Sequence, residues 1–176
     1  NAVPLYDIPA VTVRKRVAKD FPVRTSSLRS LGAHLNVFTV ETLMDDLAAA
    51  AGADPVAFRL AHLADPRARH VLERLAALAG WPGEGLGLGL ARYKNSGAWC
   101  GVAVRVEVEE EVRVADAFAV LDAGEVVNPD GARNQIEGGI VQAVSWTLKE
   151  AVALDGAVVE ARDWDGYPIL HFSEVP

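Results

Sequence analysis

The stretch NQIEGGIVQAV, residues 134–144, joins an amide side chain to a carboxylate and two adjacent glycines. Gln135 offers two N–H donors and an acceptor. Ile136, Ile140 and Val144 lie four apart, as one stripe of a helix does. Gly138 and Gly139 interrupt that helix, and each costs its interior about 0.8–1 kcal/mol relative to alanine. Two explanations stand level on the residues alone. Either a flat, polar ligand approaches the backbone beside Gln135, or the helix packs closely on a strand through its glycines. Arg29, in SLRSLGAHLN, is a second candidate. Its guanidinium lies in a loop before a helix, with Gly32 giving freedom to turn, and its rigid fork of donors could hold an anion or a substrate carbonyl. A solvated surface arginine is the alternative, and the residues by themselves favour it.

Other chemistry finds less support. GLGLGLA, residues 85–91, alternates glycine with leucine. A dinucleotide loop needs GxGxxG between a strand and a helix, so a strand with one glycine face fits better. His34, His62, His70 and His171 are scattered and form no metal-ligand spacing. No GxSxG occurs, and the single cysteine, Cys100, lies in an apolar, strand-like run where a small buried residue is expected. Catalysis by a protein nucleophile therefore has no motif behind it.

The elements that would carry these residues can be read from periodicity. AVTVRKRVA, residues 10–18, alternates and predicts a strand, and a turn-rich loop, residues 21–36, follows. Val37 to Ala51 predicts an amphipathic helix whose apolar face is Val40, Leu43, Met44 and Leu47, with Gly52 to end it. Asp54-Pro55 and Asp65-Pro66 each combine an N-cap with proline at the first helical position, and so open two more helices. Val71, Leu72, Leu75 and Leu78 form the apolar side of the last one. Beyond PGEGLGLGL the period becomes two. Val102, Val104, Val106 and Val108 share one strand face, Glu109–Glu111 suit a turn, and Val112, Val114, Phe118 and Val120 return. Asn128 caps the helix of the opening stretch, which is expected to reach about Ala151. DGAVVEARDW and YPILHF predict closing strands. The expected fold is α+β: a strand, loop and three-helix segment over residues 1–84, then a β-hairpin, one long helix packed on a mainly antiparallel sheet, and C-terminal strands over 85–176.

The chain has 176 residues, about half of them apolar, and a net charge of −7. A sizeable core is available. The absence of a basic tract argues against nucleic acid as a partner. No apolar run reaches the ~18 residues of a membrane span. The first residue is not methionine, and both ends read as interior sequence. A fragment of a longer protein is expected, with apolar surface left open and self-association as a consequence.

Several segments in order resemble the molybdenum-binding large subunit of the xanthine dehydrogenase and aldehyde oxidase family, in particular the isoquinoline 1-oxidoreductase beta-subunit type. They are YDIP at 6–9, LRSLGAHLNVFTVETLMDDLA at 28–48, DPVAFR at 54–59, AGW at 79–81, VLDAGEVVNPDGARNQIEGGIVQAVSWTLKE at 120–150 and DWDGYPIL at 163–170. The most specific is DxGxxxNPD followed by QIEGG. The resemblance implies a molybdopterin cofactor, in its plain or cytosine dinucleotide form, and hydroxylation of an aldehyde or an N-heteroaromatic ring with water as oxygen source. It implies iron–sulfur clusters on a partner small subunit, and the remainder of the large subunit as a further partner. Gln135, with Gly138 and Gly139, would hold the cofactor. Arg29 and Leu31 would lie on the substrate side, and Val120 to Gly124 would lead into a cofactor-facing loop. The glutamate that serves the family as general base, in a GVGE-like motif, has no counterpart here. Glu137 and Glu174 stand in the wrong context, and a GQG element is absent too. No catalytic residue is therefore expected in this chain, and no activity from it alone. A non-catalytic domain of the same fold, serving subunit association or assembly, is the alternative. A small-molecule-binding module unrelated to molybdenum is a third. The compartment stays open between cytoplasm and periplasm.

Overall fold

The computed structural model of the protein describes residues 2–21, 23, 29–94 and 97–176. The chain forms two compact units. The first takes residues 1–14, 28–105 and 117–125; the second takes 15–27, 106–116 and 126–176. The fold is α+β with helices flanking an antiparallel sheet, as expected.

In the first unit, α1 (Ala33–Ala50), α2 (Pro55–Ala61) and α3 (Pro66–Ala79) precede most of a three-stranded sheet, whose residues 106–116 belong to the second unit. Its strands are β1 (Leu86–Tyr93), β2 (Ala98–Val108) and β3 (Val112–Asp122), in that spatial order. β1 runs antiparallel to β2, with Leu86 opposite Arg105 and Tyr93 opposite Ala98. β3 returns beside β2 after Glu109–Glu111. Both aspartate caps form as the sequence suggests: Asp54 accepts from the Ala57 N–H at 2.8 Å, and Asp65 from those of Arg67 and Ala68. Gly80, at φ +73°, closes α3 in the left-handed conformation that favours glycine. The core gathers Met44, Val56, Leu63, Val71, Leu72, Leu90 and Trp99 between the helices and β1–β2.

Two apolar faces differ from expectation. On α1 the buried side chains are Glu41, Met44 and Ala48, while Leu43 and Leu47 are exposed. A buried polar cluster at Glu41, described below, turns the helix towards that side. On β2 the buried face is Trp99, Gly101 and Ala103, not the valine row, and Val108 is the most exposed residue of that row. α3 packs so close that a Cβ on Gly101 would lie 3.0 Å from Leu75 Cδ2 and 3.2 Å from Val71 Cγ1. At that contact only a residue without a side chain fits. Leu78 of α3 is likewise exposed.

The segment at residues 10–18 is not a strand. A strand exists by pairing, and among the described residues the sheets contain only β1–β3 and the small β4–β5 hairpin. Val11, Val13 and Val17 remain exposed accordingly. α1 begins four residues earlier than expected. Of the expected loop at 21–36, residues 22 and 24–28 lie outside the described residues.

The second unit is built on α4 (Pro129–Leu148), with β4 (Leu154–Asp155) and β5 (Val158–Val159) forming a two-residue hairpin and a 3₁₀ turn at Phe172–Glu174. α4 stops three residues short of expectation because the Lys149 and Glu150 N–H groups both donate to the Ser145 carbonyl and close the last turn. YPILHF is not a strand either. Pro168 has no N–H to give a ladder, the Leu170 N–H donates to Ser145 Oγ at 3.0 Å, and the His171 N–H donates to Glu174 Oε2 at 2.7 Å. Tyr167 OH and Ser145 OH both donate to Glu150, fastening this segment to the C-terminal end of α4.

Candidate functional site

α4 is shaped at its start by Asn128, whose Oδ1 accepts the Gly131 N–H at 2.9 Å, by Pro129 at the first helical position, and by Asp130 in the first turn. The carboxylate there complements the partial positive charge of the helix N-terminus. The apolar stripe points inward: Ile136 and Ile140 are half-buried and Val144 is buried. Gln135, Gly138 and Gly139 are all exposed. Their i, i+3, i+4 spacing puts them on one face. A Cβ built on Gly138 or Gly139 would meet nothing within 4 Å. Gly101 shows what a glycine required by internal packing looks like, and these two are unlike it. Among the described residues, the reading in which α4 packs on a strand of this chain through its glycines therefore has no contact behind it. Gln135 does engage in an interaction of its own.

Arg29 and Leu31 lie in the first unit, in an exposed turn that enters α1. The Ala33 N–H donates to the Ser30 carbonyl at 2.9 Å and closes it. Ser30 and Leu31 have φ of +69° and +51°, whereas Gly32 has φ −72°. The turn's unusual backbone thus falls on two residues with side chains and not on the glycine expected to supply it. Left-handed geometry costs such residues roughly 1–2 kcal/mol each. Leu31 projects into solvent, and Arg29 has an interaction of its own. Gln135, Gly138 and Gly139 belong to the second unit.

The residues held most firmly are ones that sequence reasoning did not assign to a site. Glu41, nearly covered, accepts the Tyr6 OH at 2.7 Å, Arg59 Nε at 3.0 Å and the Leu90 N–H at 3.0 Å. Arg59, fully buried, also donates to Asp45 Oδ1 at 2.6 Å and to the Glu41 carbonyl at 2.9 Å. Burial pushes the Glu41 carboxyl above its ordinary range, although Arg59, Tyr6 and Leu90 all pull it down. Burial and the neighbouring carboxylate raise the Tyr6 hydroxyl. Burial alone would lower Arg59, but Asp45 and Glu41 more than compensate and keep it charged. The cluster ties the N-terminal segment, α1, α2 and β1 together. A signal was available: Tyr6, Glu41, Asp45 and Arg59 all fall inside the segments YDIP, VETLMDDL and DPVAFR.

A second clasp links α3 to the end of β3. Arg67 Nε and Nη2 donate to the two carboxylate oxygens of Asp122, each at 2.8 Å, and Asp122 Oδ1 accepts the Gly124 N–H at 3.1 Å. The Arg67 hydrogen bonds and the Gly124 N–H hold the Asp122 carboxyl down to about 2. Among the described residues no group of three or more His, Cys, Asp or Glu side chains could hold a metal ion. His62 Nδ1 lies 2.8 Å from the Phe58 carbonyl within its own helix. Cys100 is a free, half-buried thiol pushed up by burial. A cavity of about 350 Å³ in the second unit is lined by Glu107, Glu109–Val114, the Leu148–Lys149 end of α4, Leu170 and Glu174. At 1.5 Å per residue it is roughly 13 Å along α4 from Gly139, so it is not the surface of the glycine pair.

Two family profiles, each described as a molybdopterin cofactor-binding domain, match the chain in succession, over residues 1–63 and 68–176. The chain belongs to this family. A nicotinate dehydrogenase subunit of Pseudomonas putida is 38% identical over 177 residues, covering 88% of this chain and 15% of that protein. The beta chain of isoquinoline 1-oxidoreductase from Brevundimonas diminuta is 34% identical over 184 residues, covering 99% of this chain and 23% of that protein. A probable xanthine dehydrogenase subunit of Bacillus subtilis is 38% identical over 77 residues, 42% of this chain and 10% of that protein. The molybdopterin cofactor-binding domain described here is thus related to xanthine dehydrogenase-like and aldehyde oxidase-like beta subunits, and spans less than a quarter of the first two relatives. No helix among the described residues is long and apolar enough to cross a membrane.

Proposed function

We propose that this domain supplies part of the cofactor surface of a molybdenum hydroxylase large subunit of the isoquinoline 1-oxidoreductase type, and that it is inactive by itself. The observation that carries the reading is the α4 face, where Gln135 lies beside two glycines whose open side no described residue fills within 4 Å. A glycine pair left open in a helix leaves the backbone free for close approach by a ligand from outside. An amide with donors and an acceptor on the same face suits a heteroatom-rich, anionic pterin. The donor set therefore fits the group. Gln135, Gly138 and Gly139 would hold it, and Arg29 and Leu31 would face the substrate.

When bound, the molybdopterin, in its plain or cytosine dinucleotide form, supplies two-electron oxidation of a carbon centre with water as the oxygen source. Iron–sulfur clusters on a partner subunit would be the electron acceptors. This chain's own part is to bind and orient. No residue of it matches the family's general base, so proton transfer falls to the remainder of the large subunit. Two relatives matched over most of the chain carry the names of nicotinate and isoquinoline, which favours an N-heteroaromatic substrate over an aldehyde.

The test is molybdenum content by elemental mass spectrometry. The protein from the uninterrupted reading frame, made in a host that synthesises the cofactor, is compared with its Gln135→Ala variant and with the 176-residue chain. Near-stoichiometric metal in the first and a clear loss in the other two is the expected result. No metal in any of them would favour a non-catalytic association domain.

A further inference from the structure

The open side of α4 continues past its glycine pair. At about 100° per residue, Gln142 comes round to within about 20° of Gln135 and within about 60° of Gly138 and Gly139. All four residues therefore share one side of the helix. The apolar stripe of Ile136, Ile140 and Val144 is turned away, about 120–160° from Gln142. Along the axis the two glutamines stand roughly 10 Å apart, with the glycines between them. No described residue comes within 4 Å of a Cβ placed on either glycine, so the space between the two amide positions is open. The next residue on this side is Trp146, whose bulk ends the small-residue stretch at Gln142. Gln142 itself is half-buried and has an interaction of its own.

We infer that Gln142 is a further cofactor-binding residue, which holds the cofactor at a second point on the α4 face. The inference rests on the reading proposed above, in which this same face meets the cofactor. What it adds is a contact two turns along the helix from Gln135. One amide fixes a flat ring system at a single point and leaves it free to pivot. A second amide, across the glycines, fixes its direction as well. The residue type suits the task, because an amide both donates and accepts and so matches a ring bearing both kinds of edge. A carboxylate at the same position would offer an anionic ligand no donor.

The test uses the protein from the uninterrupted reading frame, made in a host that synthesises the cofactor. Molybdenum per folded protein is measured after purification, and its rate of loss is followed during dialysis. The variants are Gln142→Leu, Gln142→Glu, Gln135→Ala and Glu137→Gln, each checked for folding by thermal melting. Glu137 is exposed and lies about 140° round the helix from Gln142. Gln142→Leu is expected to lose molybdenum about tenfold faster than the wild type, as removal of one hydrogen bond to a charged ligand implies. Gln142→Glu should lose it at least as fast, and Glu137→Gln should match the wild type. Wild-type rates in both Gln142 variants, alongside faster loss in Gln135→Ala, overturn the second contact and leave the proposed function standing. Wild-type retention in Gln135→Ala overturns the function reading and this contact with it. An equal acceleration in Glu137→Gln would mean that any change on α4 loosens the cofactor, and it too overturns the inference. A lower melting temperature in Gln142→Leu with an unchanged rate of loss would assign Gln142 to the chain's own packing instead. Should Gln142→Leu fail to fold, Gln142→Glu decides: faster loss supports the contact and a wild-type rate overturns it.

Discussion

Glu41 and Arg59 hold their charges almost out of reach of water, with Tyr6, Asp45 and the Leu90 N–H completing the set. Removing one member of such a pair strands the other, at a cost of about 3–5 kcal/mol, whereas exchanging both for apolar side chains of similar volume is often close to neutral. Arg59→Met is therefore expected to destabilise the first unit by about that amount. The double variant Glu41→Met/Arg59→Met should lose distinctly less, as read by urea denaturation of all three proteins. Equal losses would mean that the cluster acts by volume and not by charge. Asp122 provides the pH-dependent counterpart. Arg67 and the Gly124 N–H hold its folded carboxyl down to about 2, against about 3.9 in an unfolded chain. A depressed folded value means that the unfolded state takes up the proton first. The stabilisation is present above pH ~4 and disappears as pH falls from there towards 2. The gap in melting temperature between the domain and its Asp122→Asn variant should accordingly narrow over that window, while the Arg67 guanidinium stays charged throughout it. A constant gap would exclude the linkage.

At the scale of elements, two glycine sites separate packing from access. On β2, Gly101 faces Leu75 and Val71 so closely that Gly101→Val must overpack the contact, at about 1–3 kcal/mol. On α4, Gly138→Ala adds a methyl group to open space and removes the glycine penalty, so the isolated chain should gain about 0.8–1 kcal/mol. The same substitution should lower molybdenum content in the protein from the uninterrupted reading frame. Thermal melting and metal analysis of the two variants test the pair; loss of stability on Gly138→Ala would return its glycine to a packing role. Much of this was legible beforehand. The caps at Asp54, Asp65 and Asn128, the β1–β3 strands and the long helix all follow from local rules, because the cap and the period are written within a few residues. What was not legible depends on partners distant in sequence. The choice between the two faces of β2 is made by α3, and the rotation of α1 by Arg59. Residues 10–18 alternate like a strand, but nothing in the segment says that no ladder will receive it. At the candidate site, the open face of α4 could be anticipated only as one of two explanations for its glycines. The left-handed Ser30 and Leu31 carry no sequence mark at all, since serine and leucine normally avoid that conformation.

The whole domain leaves a good deal of apolar surface open to water. On the first unit Leu31, Leu35 and Phe38 are exposed, and on the second Trp164 and Phe172 are largely bare. Contiguous apolar patches of more than a few hundred Å² mark surfaces that meet something else, and a domain matching less than a quarter of its relatives' length offers such faces where those relatives have more chain. The isolated 176-residue chain is expected to self-associate as its concentration rises. Its net charge of −7 opposes this through repulsion between copies. Salt shortens the reach of that repulsion, to about 8 Å at physiological ionic strength and about 3 Å at 1 M. The sign follows: association driven by apolar burial strengthens as salt is added, whereas association driven by opposite charges would weaken. Sedimentation velocity across a concentration series at low and high salt separates the two. Leu35→Ser/Phe38→Ser and Trp164→Ser/Phe172→Ser then ask which unit carries the contact, since none of these side chains is needed by the core. A clean monomer at high protein concentration and high salt would show that the exposed side chains are scattered too thinly to act as a surface.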